Sequence, residues 1–454
     1  MALLARLSAF SWSIEAIMTN GSKLRVALTG DSIVERRLLT RDDATMRPLF
    51  ELIRDADIAF TNLEVLPNDF VGDPVLESGG SHFGAPAWVL DELTDAGFDL
   101  FAMATNHCLD YGVSGLLSAI EAMENRRLSY AGVGRNLEEA RRPVYHTHPN
   151  GTVALISCSA TFANGQEASA QRPDMPGRPG LNPLRHTTVY EVTPNQLASI
   201  VEISEQLGLE RMRQKIIQLG FGFPPEDPNV VEFEKMRFRA AERPATRTNV
   251  SSADVEAIAR WVREARDLSD LVMVSFHSHE YGKDEEHPAE FLLAFAHRMI
   301  DEGAHLVVGH GPHLLRGMEI YEGCPIFYSL GNFVGQNELV QRLPADAYER
   351  FRVDPTLTPG MVFKQRTDSD RKSFPADRRF WETVVPVCSF SDGRLSSIDI
   401  YPVSLGLGEK RHLRGRPRLA AGEETERILS RFASLSEPFA TRLNISANVA
   451  TVAV

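Results

Sequence analysis

The chain has 454 residues, 43% of them apolar and 24% charged, with a net charge of −13. That length and balance describe a globular protein with one large domain and insertions, or with two domains, and so acidic a surface argues against nucleic acid as a partner. The four cysteines, Cys108, Cys158, Cys324 and Cys388, lack C-x-x-C spacing, which suits a reducing compartment and excludes a structural zinc site.

No run approaches the roughly 18 apolar residues that a membrane helix needs, so a cytoplasmic protein without membrane contact is expected. Residues 1–20 read as an N-terminal extension, because Arg6, Trp12 and Glu15 interrupt any signal-like apolar run. A buried strand over 24–28 ends at Thr29-Gly30-Asp31-Ser32. Asp31 at its tip is either a helix N-cap or a ligand at the strand edge where α/β sheets bind. The strand over 57–60 is followed by Asn62 and Glu64, then by a Gly- and Pro-rich loop over 67–86. A helix over 87–96 and a strand over 98–103 lead to Asn106, His107 and Asp110. A helix over 113–125, a strand over 128–131 and a strand over 152–157 continue the βαβ alternation of a layered α/β fold.

The alternation breaks over 160–250, which is rich in Pro and Gly apart from a helical section over 194–219. This reads as an insertion of helix and loop that caps the strand ends. Arg178 and Arg185 on its loop are candidates to hold an anionic substrate, or are solvated loop cations. Residues 251–253 open a helix whose Val255, Ile258, Val262 and Ala265 share one face. A strand over 271–276 delivers His277, His279 and Glu280, and the buried run 306–308 delivers His310 and His313. Strands over 382–390 and 396–403 follow. A basic cluster with Arg414 and Arg416 and a last helix over 423–435 close the chain. The expected division is 21–159 with 251–410 as the main domain, 160–250 as the cap and 411–454 as a C-terminal segment.

Five strand ends thus carry carboxylates, amides or imidazoles, a donor mixture that suits Mn²⁺, Fe²⁺ or Zn²⁺. The ordered set GD (Gly30-Asp31), NLE (62–64), NH-x-x-D-x-G (106–112), GHGPH (309–313) and YSLGNF (328–333) resembles the bacterial capsule-synthesis CapA, or PGA_cap, family of poly-γ-glutamate synthesis. That family is similar in fold to calcineurin-like metallophosphoesterases. The resemblance implies a four-layer α/β/β/α sandwich with one or two divalent ions at the strand ends. It implies Asp31 and His313 on one ion, Glu64 bridging, and Asn106, His277 and His310 on the second. His107 would be the general acid, oriented by Asp110, with Asn62, His279, Glu280, Arg178, Arg185, Arg414 and Arg416 about the substrate. Ile33 stands where the phosphoesterases' D-x-H carries its His, which makes the first metal site poorer. The implied activity is metal-dependent hydrolysis, with a metal-activated water attacking a small anionic substrate, a γ-glutamyl-type amide or a phosphoester. The alternative is a non-catalytic accessory of poly-γ-glutamate or capsule assembly that binds the γ-glutamyl chain.

Overall fold

The computed structural model describes residues 23–452, and the extension expected at 1–20 lies outside them. Two sheets face each other at its centre. The larger has ten strands in the order Leu443–Ser446, Val449–Val452, Arg394–Ser404, Glu382–Ser391, Lys23–Ile33, Ile58–Leu63, Leu100–Ala102 and Ser129–Ala131. Asn332–Gly335 also pairs with Lys23–Ile33, and Arg418–Leu419 with Arg394–Ser404. The smaller sheet has six, in the order Leu315–Tyr321, Cys324–Leu330, Leu306–His310, Leu271–His277, Gly151–Ser159 and Val144–His148.

Side chains alternate between the faces of each strand, and the apolar ones divide accordingly. In the first strand Leu24, Val26 and Leu28 point to the partner sheet, where they meet Leu155, Met273 and Val308. Ala27 points the other way, under the helices Arg47–Arg54, Trp88–Ala96 and Gly112–Asn125. In the smaller sheet Ala154 and Ile156 turn outward to the helices Ser252–Leu268 and Glu290–Asp301. The result is helix, sheet, sheet, helix, the α/β/β/α sandwich that the resemblance implies. Central strands buried on both faces explain why they read as short apolar runs without polar alternation.

Local signals agree with this packing. Ser251 caps Ser252–Leu268 by accepting from the Asp254 amide, and Val255, Ile258, Val262 and Ala265 are all buried. The 411–454 segment completes the sandwich. Its helix Glu423–Ser436 puts Ile428, Leu429 and Phe432 between the sheets, and its last two strands extend the larger one.

In the 160–250 insertion the helices Pro194–Gln206 and Leu209–Gln218 match the expected helical section. The rest is not all loop. Part of it forms a further, four-stranded sheet in the order Val230–Phe233, Met236–Ala240, His186–Val192 and Ala245–Val250. These strands are short and mostly half-exposed, with no buried stripe to give a period of two. The sheet docks on the outer helix Glu290–Asp301, where the His186 ring stacks on Phe291 at 4.4 Å and Arg247 pairs with Glu290 at 2.5 Å.

Candidate metal centre

Strand register builds the site. In the larger sheet Asp31 is paired with Asn332 on one side and Asn62 on the other. In the smaller sheet His277 is paired with His310 and with Ser159. Both rows lie at the C-terminal ends of parallel strands, and the facing sheets bring them together. Asp31 sits inside Lys23–Ile33 and no helix starts there, so the N-cap reading of this residue is corrected. Gly30 makes the row possible. The Asp31 amide donates to the Gly331 carbonyl at 2.8 Å, and a Cβ on Gly30 would stand 1.9 Å from that oxygen. The ladder slips around this contact, turning the Asp31 side chain toward the smaller sheet's histidines.

Six charged or imidazole groups converge there, and all but His279 and His313 are fully buried. The Asp31 Oδ2 to His313 Nδ1 distance is 3.2 Å, and Asp31 Oδ1 to His310 Nδ1 is 3.6 Å. Glu64 Oε2 lies 3.5 Å from His313 Nδ1 and Glu64 Oε1 lies 3.7 Å from His277 Nε2. Glu64, His279 and His313 each offer one ligand atom within 4.8 Å of the other two. Ligands bound at about 2.1 Å in a tetrahedron sit about 3.4 Å apart, so these spacings are those of a coordination polyhedron. The donors are also unsatisfied. Both Glu64 oxygens, His277 Nε2, His279 Nε2, both His310 nitrogens, Asn62 Oδ1 and Asn106 Oδ1 are buried without a hydrogen-bond partner. Buried polar atoms are ordinarily paired, so a cluster of convergent orphans fits a divalent cation.

Electrostatics prepare the same donor set. Burial pushes the Asp31 carboxyl up, but His313, His310 and His277 together outweigh it and hold it far below the usual range. Burial and the Asp31 charge push Glu64 well up. Burial drops His277 to about 3 and His310 to about 4, and lowers His279 as well, so these rings are neutral, the form that ligates metal. His313 is the exception. Burial works against its charge, but Glu64, Asp31 and Asn332 overcome it and raise it to about 9. His313 also has φ of +61°, a left-handed conformation that a β-carbon disfavours. Its Nδ1 lies 3.0 Å from Asn332 Oδ1.

His107 and Asp110 form a separate pair beside the cluster. Asp110 Oδ2 accepts from His107 Nδ1 at 2.8 Å and from the Phe83 amide at 2.7 Å. A carboxylate only accepts, so Nδ1 carries a proton and Nε2 is the working nitrogen. The loop over 67–86 folds onto this pair: a Cβ on Gly79 would lie 1.8 Å from Asn106 Nδ2 and 3.0 Å from His107 Nε2.

Several expected substrate contacts take other roles. Asn62 Nδ2 donates to Asp31 Oδ1 at 2.9 Å, so it steadies a ligand. His279 joins Glu64 and His313 in the group that could hold a metal ion. Glu280 accepts from the Ser278 and Thr161 hydroxyls, and Thr161 Oγ1 accepts from the His279 amide, so both fix the His279 loop. The four arginines are corrected. Arg178 is spent on the Glu167 carbonyl and carboxylate, and Arg185 on a two-pronged pair with Asp254. Arg414 is buried against Glu338 and Asp370, and the half-buried Arg416 pairs with Asp43 and the Leu38 carbonyl. Each is paired with a nearby acid of the fold. Sequence reasoning missed Asn332 and Thr161. Asn332 opens the strand Asn332–Gly335 within the quoted YSLGNF motif, an amide beside a strand end like Asn62.

Comparison with known proteins bears on this geometry. The model of the bacterial capsule synthesis protein PGA_cap family matches residues 25–337. The uncharacterized protein y4sH of Sinorhizobium fredii is 32% identical over 435 residues, 93% of this chain and 91% of that protein. The capsule biosynthesis protein CapA of Bacillus anthracis is 24% identical over 69% of this chain and 60% of its own length. A probable polyglutamine synthesis accessory protein of Mycobacterium tuberculosis is 25% identical over 52% of this chain and 45% of its own.

Proposed function

The chain belongs to the PGA_cap family of bacterial capsule synthesis proteins, and on that premise we propose that it is a metal-dependent hydrolase of a small anionic substrate, a γ-glutamyl-type amide or a phosphoester. The observation that carries this reading is the convergence of two carboxylates and four imidazoles, most of their donor atoms buried and unpartnered. Glu64, His279 and His313 would hold the cation, with Asp31, His277 and His310 completing one or two sites for Mn²⁺, Zn²⁺ or Fe²⁺. A cation bound there supplies a Lewis acid for a carbonyl or phosphoryl oxygen and lowers the pKa of water. The protein's own groups do the rest. Asn62 and Asn332 hold Asp31 and His313 in place. His107, with Nδ1 anchored on Asp110, gives a proton from Nε2 to the leaving group. Full burial of Asp31, Glu64, His277 and His310 keeps bulk water from competing for the charges.

The setting we assign is cytoplasmic. All four cysteines are free thiols, and among the described residues no helix is long and apolar enough to cross a membrane. A second reading, an accessory of poly-γ-glutamate assembly, has one structural observation in its favour: Gly79 approaches Asn106 and His107 so closely that a Cβ there would stand 3.0 Å from His107 Nε2. Metal analysis of the purified chain, followed by assays on a model phosphodiester and on γ-glutamyl peptides, separates the two. The hydrolase reading expects turnover of one substrate class by the wild type and its loss in His107→Ala. Bound metal with no turnover of either class would leave the accessory reading standing.

A further inference from the structure

We propose that Arg316, buried between the segments that carry His279 and His313, is the residue that reads the substrate's anionic group, taking a planar oxyanion, carboxylate or phosphate, on its two Nη nitrogens. This rests on the reading of the cluster as a substrate site. Arg316 is fully buried, and it is among the largest side chains in the protein to be so. Its Nε donates to the Glu285 carbonyl at 3.0 Å. Nη1 and Nη2 are buried and have no partner. Four of the five N–H groups of a permanently charged fork are therefore unspent, the inverse of Arg178, Arg185, Arg414 and Arg416.

Position ties this fork to the site. Arg316 opens the strand that follows the His313 loop, and its register partner Ser329 stands three residues before Asn332, to which His313 is bonded. Glu285 belongs to the loop that starts at Ser278 and His279. The guanidinium is thus clamped between the two segments that deliver His279 and His313. The acids that act on it electrostatically are Glu280 and Asp284, but among the described residues no partner reaches either Nη nitrogen. Glu280 is already occupied by the Ser278 and Thr161 hydroxyls. A buried, unpaired cation costs stability, and a substrate oxyanion would recover that cost through two parallel charged hydrogen bonds. A purely structural arginine would instead spend its fork within the protein.

The test compares wild type with Arg316→Met and Arg316→Lys, metal-free and Mn²⁺-loaded, by calorimetric titration with inorganic phosphate and with glutarate. The wild type is expected to bind one of these anions, which identifies the oxyanion as phosphate or carboxylate. Arg316→Met should weaken that anion at least about 10-fold, with Mn²⁺ content unchanged and thermal midpoint equal or higher. Arg316→Lys, which keeps the charge but loses the fork, should fall between. Unchanged anion affinity in Arg316→Met, a lower midpoint in both variants, or no binding of either anion by the wild type overturns the proposal. Anion binding needs no turnover. Binding that depends on Arg316 without hydrolysis of any substrate would therefore sink the hydrolase reading alone.

Discussion

The two facing strand edges contribute opposite chemistries. The ten-stranded sheet supplies acids and amides: Asp31, Asn62, Glu64 and Asn332. The six-stranded sheet and its loops supply imidazoles: His277, His279, His310 and His313. Neither edge is a metal site alone. The acids by themselves would repel one another, and the imidazoles by themselves would carry no charge to offset a dication. What the difference teaches is that a cation site here would be a property of the sandwich. Its donor set comes together only when the inter-sheet core sets the two rows at ligand distance.

That division predicts a graded response. Asp31→Asn removes the one carboxylate that touches both His310 and His313, and is expected to abolish retained metal, read as metal content after dialysis. If metal survives, the acid edge is not the anchor. His107→Ala lies outside both edges, so metal content should hold while kcat falls by roughly 10²–10⁴. Loss of metal in that variant would merge the pair with the cluster. Asn332→Ala frees His313 and should weaken metal affinity by roughly 10–100-fold, measured by competition with a chelator. Equal affinity would mean that His313 is held by the carboxylates alone.

A fourth prediction concerns pH. Glu35, four residues past Asp31, is buried with neither carboxylate oxygen partnered, and burial pushes it up to about 8. The folded state holds this proton more tightly than the unfolded chain does. Stability is therefore lost as pH rises from the ordinary carboxylate range through about 8. Glu35→Gln stays neutral, so its melting temperature should exceed that of the wild type above pH 8 by the equivalent of a few kcal/mol, and by little at pH 5. A constant difference across pH would rule this out. The smallest effect is Thr161→Val, which strips the hydroxyl joining Glu280 to the His279 amide and should cost about 1 kcal/mol in denaturant unfolding.

The layered α/β character was readable because the strands are short apolar runs that end in polar residues, and that pattern needs no partner to be seen; the four-layer sandwich came from the family resemblance. Asp31, Glu64, His310 and His313 were marked as candidates by their place at those strand ends. Asn62 and His279 were placed at the substrate because a strand-end amide and a second histidine reveal their type but not their neighbours. The arginines failed for a related reason. A loop cation reads as free until the acid that meets it is known, and Asp254 lies 69 residues from Arg185. Arg316 was passed over because a strand as mixed as Leu315–Tyr321, with Glu319 beside it, gives no periodic signal that singles out one charge. The insertion's sheet was missed because its strands bury too little to show alternation.

The crossing of Gly30 over Gly331 has a consequence for how this protein tolerates change. No side chain makes the contact, so conventional alanine scanning, which trims side chains, would pass it by. Gly30→Ala adds a single methyl group, yet that methyl would collide with a main-chain carbonyl and disturb the residues that flank it, Asp31 on one strand and Asn332 on the other. The accuracy of the ligand cage is written in two hydrogen atoms rather than in any functional group.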